Sequence, residues 1–167
     1  MHYESVTTVI RNLNAAAVDY LVVGGLAVVA HGYVRFTADL DLLIGLDSAN
    51  VTNAIRVFEA MGYKPRAPVP IEDLADSAKR QLWAREKALT VFSLFSDSHP
   101  GTEIDIFVED PLGIRQALQS AKQVEIAAGV SAPICSLSDL LKLKAMAGRP
   151  KDLLDIQKLR ELHSELP

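Results

Sequence analysis

Residues 35–45, RFTADLDLLIG, constrain the fold of this chain more than any other stretch. Their alternation has the period of a β-strand, with Ala38, Leu40, Leu42 and Ile44 on one face and Asp39, Asp41 and Leu43 on the other. A strand patterned this way is half-buried and belongs to a sheet that keeps one face wet. Aspartate is among the residues strands favour least, so two acids on one face, one residue apart, call for a reason.

The surrounding sequence alternates helical and extended patterns. Val6, Ile10, Leu13 and Ala17 predict an amphipathic helix over about 4–18, followed by a short apolar strand over 20–23 that ends at Gly24 and Gly25. A small-residue helix over about 26–31 stops at Gly32, and the acidic strand follows. Ser48 is placed to cap a helix running to about 61, where Gly62 ends it. Strands are predicted over 89–95 and 103–108, a short helix from Pro111 to about Leu118, and a hairpin over 122–127 and 131–135. Two helices close the chain, one from Ser136 to Gly148 and one over about 150–163. Residues 65–87, with three prolines and mixed charge, read as an irregular insertion. The order implies a mixed α/β (α+β) sheet with a helical C-terminal end.

With 167 residues the chain is expected to form one domain, 1–167, with a core over about 1–135 and a helical element over about 136–167. A formal charge of −4 argues against coating nucleic acid or anionic membrane through the overall field. Cys135 is the only cysteine, so neither an internal disulfide nor a cysteine zinc cluster can form. The N-terminus lacks a signal-peptide pattern, and the longest apolar run, 21–30, is too short to span a bilayer. A cytoplasmic protein without a membrane partner is the expectation.

Asp39 and Asp41 project from one strand face about 7 Å apart at the backbone, close enough for both side chains to reach one hard cation such as Mg²⁺. Asp105, in EIDIFV, joins them if the two strands pair side by side. Such a cluster suits two-metal phosphoryl chemistry, although solvent-facing acids on half-buried strands would look the same. Gly24 and Gly25 sit where a strand gives way to a helix, which suits close approach to a phosphate or simply a tight turn. Lys144 falls on or beside the apolar stripe of its helix, so it either snorkels to solvent or serves an anion in a cleft. Arg35 and Thr37 share the parity of the acids. Arg35 could reach a metal-phosphate site or pair with Asp39 or Asp41. His31 reads as a helix C-terminal residue, Asp152 and Asp155 as caps and surface ion pairs. Lys79, Arg80, Arg85 and Lys87 around Trp83 read as an acceptor contact or a solvated surface with one anchoring aromatic.

Taken in order, VVGGLAVVAHGYVRFTADLDLLI and the later EIDIFV resemble the nucleotidyltransferase superfamily related to DNA polymerase β. More narrowly, with LLKLKAMAGRPKDLLDI, the chain resembles the small bacterial AbiEii toxin-like nucleotidyltransferase group. That resemblance implies a nucleotidyltransferase-fold sheet and transfer of an NMP from an NTP to an acceptor hydroxyl, with release of pyrophosphate. It implies Asp39, Asp41 and Asp105 as catalytic and metal-holding residues, with Mg²⁺ or Mn²⁺ as cofactor. Gly24, Gly25, Arg35, Thr37 and Lys144 would bind the nucleotide. Gly25 stands where many members carry serine, so no hydroxyl is available there for a terminal phosphate. The acceptor could be RNA, a protein or a small molecule, and the resemblance extends to toxin–antitoxin pairs, with a cognate antitoxin as partner. The alternative is a protein of this fold that no longer catalyses and acts as a binding or regulatory partner.

Overall fold

A computed structural model describes residues 1–164; the last three residues of the expected C-terminal element, 165–167, lie outside the described residues. Seven strands form one mixed sheet. They are β1 (Tyr20–Val22), β2 (Asp39–Ile44), β3 (Lys64–Pro65), β4 (Val91–Phe95), β5 (Glu103–Phe107), β6 (Lys122–Ala127) and β7 (Val130–Ile134), in the order β3-β4-β5-β2-β1-β7-β6. The helices are α1 (Tyr3–Ala15), α2 (Gly24–Ala30), α3 (Ser48–Ala60), α4 (Ser77–Lys87), α5 (Ile114–Gln119), α6 (Leu137–Ala147) and α7 (Pro150–Leu162). The α/β reading of the sequence is borne out. No helix among the described residues is long and apolar enough to cross a membrane.

The pairing at the centre of the sheet decides what the acids can do. β2 and β5 run parallel, with Asp41 directly opposite Asp105 and Asp39 opposite Glu103. β4 lies antiparallel beyond β5 and sets Ser93 opposite Asp105. Because strand residues alternate between faces, Leu40, Leu42, Ile104, Ile106, Phe92 and Leu94 all enter the core, while the acids and Ser93 share the other face. Each buried aliphatic side chain of this kind contributes about 1.5–3 kcal/mol, so a one-residue slip that exposed them is excluded.

Three expectations are corrected. The acidic strand begins at Asp39 rather than Arg35: residues 33–38 keep the alternation, with Tyr33, Arg35 and Thr37 half-buried and Val34, Phe36 and Ala38 exposed, but make no ladder. Ala38 therefore does not join the core face. The insertion is ordered: β3, a 3₁₀ turn (Ile71–Ala75) and α4 occupy it, and Asp76 caps α4 by accepting from the N–H groups of Ala78 and Lys79. Within it Trp83 is buried and stacks on Phe92 with centroids 5.3 Å apart. Arg80, read as part of a surface run, is buried and donates to the carbonyls of Leu74 and Leu46, at 2.6 and 3.1 Å. The third correction is at α5, which starts at Ile114, after Asp110 has accepted from the N–H groups of Leu112, Gly113 and Ile114.

Candidate active site

The glycine pair is shaped by the side chains it faces. Gly24 adopts φ +60°, and a Cβ there would lie 1.9 Å from Asp41 Oδ2; a Cβ on Gly25 would lie 2.1 Å from Thr37 Oγ1. Only a bare backbone allows Asp41 and Thr37 to settle onto the start of α2. Asp41 Oδ2 accepts from the Gly25 N–H at 3.2 Å, and Thr37 Oγ1 donates weakly to the Asp39 carbonyl at 3.4 Å. Gly24, Gly25, Thr37, Asp39 and Asp41 are thus gathered in one corner. Asp105 stands beside them across the β2–β5 pairing, accepting from the Ser93 hydroxyl at 2.5 Å.

The acidic corner carries excess negative charge. None of Asp39, Asp41 and Asp105 takes part in an ion pair among the described residues. Burial raises the Asp41 carboxyl above the ordinary value of 3.8, and the charges of Asp105 and Asp39 push it further, against the opposing Gly25 hydrogen bond. Burial likewise raises Asp105; Asp39 and Glu103 add to the shift, and the Ser93 hydroxyl opposes it. Such shifts mark groups whose charge is poorly compensated, a common property of catalytic acids. The donor set consists of carboxylate oxygens alone, which suits Mg²⁺ or Mn²⁺. As they stand, no three His, Cys, Asp or Glu side chains among the described residues are gathered as a cation-holding group. Asp41 is turned to the Gly25 N–H and Asp105 to the Ser93 hydroxyl.

Beside this corner lies a cleft of about 410 Å³ between the sheet and α6. Gly24 and Asp41 line one end, Val91, Phe107 and Leu143 give it apolar walls, and Lys144 and Arg149 supply cations. Lys144 does not snorkel to solvent. Its side chain is 5% exposed, with Nζ 2.9 Å from Asp152 Oδ1 and 2.7 Å from Asp155 Oδ2. Arg35 pairs with neither Asp39 nor Asp41; its Nε and Nη2 donate to the two oxygens of Asp155 at 2.7 and 2.8 Å. Asp152 and Asp155 are accordingly buried members of a charge network, not the surface caps expected of them. Burial alone would raise both carboxyls, but hydrogen bonds from Arg149 and Lys144 to Asp152, and from Arg35 and Lys144 to Asp155, hold them below the ordinary carboxylate value. Their spacing of three places both on one face of α7, a signal legible only once Lys144 is known to face it. His31 is the C-cap of α2, as expected, and its Nε2 lies 2.8 Å from the Cys135 carbonyl.

No protein-family profile matches the chain, and no curated protein matches it in sequence. Solved structures do. The lincosamide antibiotic adenylyltransferase LnuA, bound to lincomycin, superposes with a TM-score of 0.62 at 16% identity, over 95% of this chain and 96% of its own. An antigenic nucleotidyltransferase-like protein from Paracoccidioides brasiliensis gives 0.60 at 18% identity, over 96% and 75% of the two chains. ANT(2'')-Ia in complex with adenylyl-2''-tobramycin gives 0.60 at 13% identity, over 99% and 89%. At these identities the likeness establishes the fold, which matches the architecture expected from the sequence.

Proposed function

We propose that this chain is a nucleotidyltransferase, transferring an NMP from an NTP to a hydroxyl of its acceptor with release of pyrophosphate. One observation carries the proposal: parallel pairing of β2 with β5 sets Asp105 directly opposite Asp41, with Asp39 two residues away on the same face, beside Gly24, Gly25 and the cleft. Asp39, Asp41 and Asp105 would hold Mg²⁺ or Mn²⁺, which when bound polarises phosphate oxygens and offsets charge on them. Asp105 takes the proton of the acceptor hydroxyl as that oxygen bonds to the α-phosphorus. The bond from the α-phosphorus to the bridging oxygen breaks, and pyrophosphate leaves. Gly24 and Gly25 make room for Asp41 and Thr37 at the start of α2, and a phosphate reaches the Gly25 N–H in exchange for Asp41. Thr37, packed on Gly25, orders that corner, and Arg35 acts through its hold on Asp155. Lys144, fixed between two carboxylates, contributes its field.

The solved structures of similar fold favour a small-molecule acceptor, since one is a lincosamide antibiotic adenylyltransferase bound to lincomycin and another is in complex with adenylyl-2''-tobramycin. The test is incubation with labelled NTPs and Mg²⁺ or Mn²⁺, offered a lincosamide, an aminoglycoside, total RNA and total protein in turn. Label should pass to one acceptor and fail to do so with Asp39→Asn and Asp41→Asn combined. Transfer that survives the double substitution sinks the proposal. The second reading, a protein of this fold that binds without catalysing, as a partner of a cognate antitoxin, draws on the observation that the three acids are not gathered as they stand. It predicts persistent inactivity together with metal-independent binding to a partner protein.

A further inference from the structure

Lys144, the cation expected at the phosphates, is locked between Asp152 and Asp155. Arg149, at the junction between α6 and α7, has the properties Lys144 lacks. We infer that Arg149 is the cation that meets the β- and γ-phosphates of the bound NTP, and that it does so by leaving Asp152, whose charge Lys144 continues to balance. This rests on the nucleotidyltransferase reading of the same cleft.

Four observations support it. Arg149 lines the cleft together with Gly24 and Asp41, so it faces the space beside the acidic corner. Its side chain is 59% exposed, against 5% for Lys144, and can move without disturbing the core. It donates through Nε to Asp152 Oδ2 at 2.6 Å and through Nη2 to Asp152 Oδ1 at 3.3 Å, which leaves the rest of its five N–H donors for an anion. Finally, Asp152 is fully buried, and stripping it of every cation would cost several kcal/mol, but Lys144 stays 2.9 Å away when Arg149 departs. The buried pair is a fixed counterweight and the guanidinium a movable arm.

Chemistry favours an arginine at this point. The planar guanidinium offers parallel N–H groups that match two oxygens of one phosphate, and it does not lose its proton. Charge grows on the leaving pyrophosphate as its bond to the α-phosphorus breaks, so a cation aimed there stabilises the transition state. The charges of Asp41 and Asp105 add to the upward shift of the Arg149 guanidinium, behind the larger effect of Asp152, so it lies within electrostatic reach of the acidic corner.

The experiment compares nucleoside triphosphates with monophosphates. Wild type, Arg149→Ala and Arg149→Lys are titrated calorimetrically with ATP, GTP, CTP and UTP, and with the matching monophosphates, in excess MgCl₂. Arg149→Ala should weaken the preferred NTP at least tenfold and its monophosphate less than twofold, with Arg149→Lys recovering part of the loss. A melting temperature within a few degrees of wild type shows that Lys144 still balances Asp152. Equal losses for NTP and NMP, or an unchanged NTP affinity, overturn the inference while leaving the nucleotidyltransferase reading in place. If the wild type binds none of the four NTPs, that reading falls and the inference falls with it.

Discussion

Asp41 is held where its charge is disfavoured by a covered strand, by Asp105 opposite and by Asp39 two residues before it. Because its carboxyl is raised above 3.8 in the fold, the folded chain binds a proton more tightly than the unfolded chain. Its contribution to stability is complete below that value and is lost as pH rises through the raised one. Asp41→Asn, which keeps an oxygen for the Gly25 N–H, should therefore stabilise the metal-free protein at pH 7 by about 1 kcal/mol. Thermal melts with and without Mg²⁺ check this: the cation should raise the melting temperature of wild type and not of the variant. Ser93→Ala removes the hydrogen bond that opposes the upward shift of Asp105. The alkaline-rising limb of the pH–rate profile should then move to higher pH, the direction required of a general base whose proton is held more tightly. Gly25→Ala drives a methyl into Thr37, and a cost of about 1–3 kcal/mol in urea denaturation, with weakened NTP binding, is expected.

Between elements, a part-buried polar tie runs from residues 33–38 to α7. Arg35 grips both oxygens of Asp155, and Lys144 on α6 joins Asp155 to Asp152. Asp155→Ala leaves Lys144 short of a partner and Arg35 with no carboxylate, only the Phe36 carbonyl, and should cost about 3–5 kcal/mol by chemical denaturation. The direction with pH is opposite to that of Asp41. Asp152 and Asp155 are held below 3.8, so their contribution is in place above that value and fades as pH falls through their lowered ones. Little of this network was legible in the sequence, because an Asp pair on a helix announces its partners only through tertiary contact. The acidic corner was far more legible: alternation in DLDLLI and EIDIF reports the face each acid takes, whichever helices cover the other. The pairing of Asp41 with Asp105 was conditional on register, which no local pattern specifies. In residues 65–87 three prolines obscured a good helix start, Asp76 followed by Ser77, Ala78 and Lys79.

At the scale of the whole molecule, the site draws on five separate parts of the chain. Gly24 comes from the first helix turn after β1, Asp41 and Asp105 from the two central parallel strands, Lys144 from α6, and Arg149 from the junction before α7. The two central strands are joined only through residues 45–102, so the acidic corner exists only once distant segments have paired. Removal of residues 149–167 should not release a stable core. It deletes both carboxylates of buried Lys144 and the His163 Nε2 contact with the His31 carbonyl. Limited proteolysis of such a truncation should show rapid digestion where the full chain resists. Resistance equal to that of the full chain would show instead that the C-terminal helices fold apart from the sheet.

The hydrogen bond from the Gly25 N–H to Asp41 bears on discrimination. That donor is already answered by an anion of the protein's own, so an arriving phosphate exchanges one bond for another and gains little from the exchange itself. Free inorganic phosphate has no nucleoside to fill the apolar cleft and no second phosphoryl group for a distant cation, and so has nothing further to offer. On the proposed reading, a corner with its donor answered in this way discriminates against free inorganic phosphate and favours a ligand long enough to be held elsewhere as well.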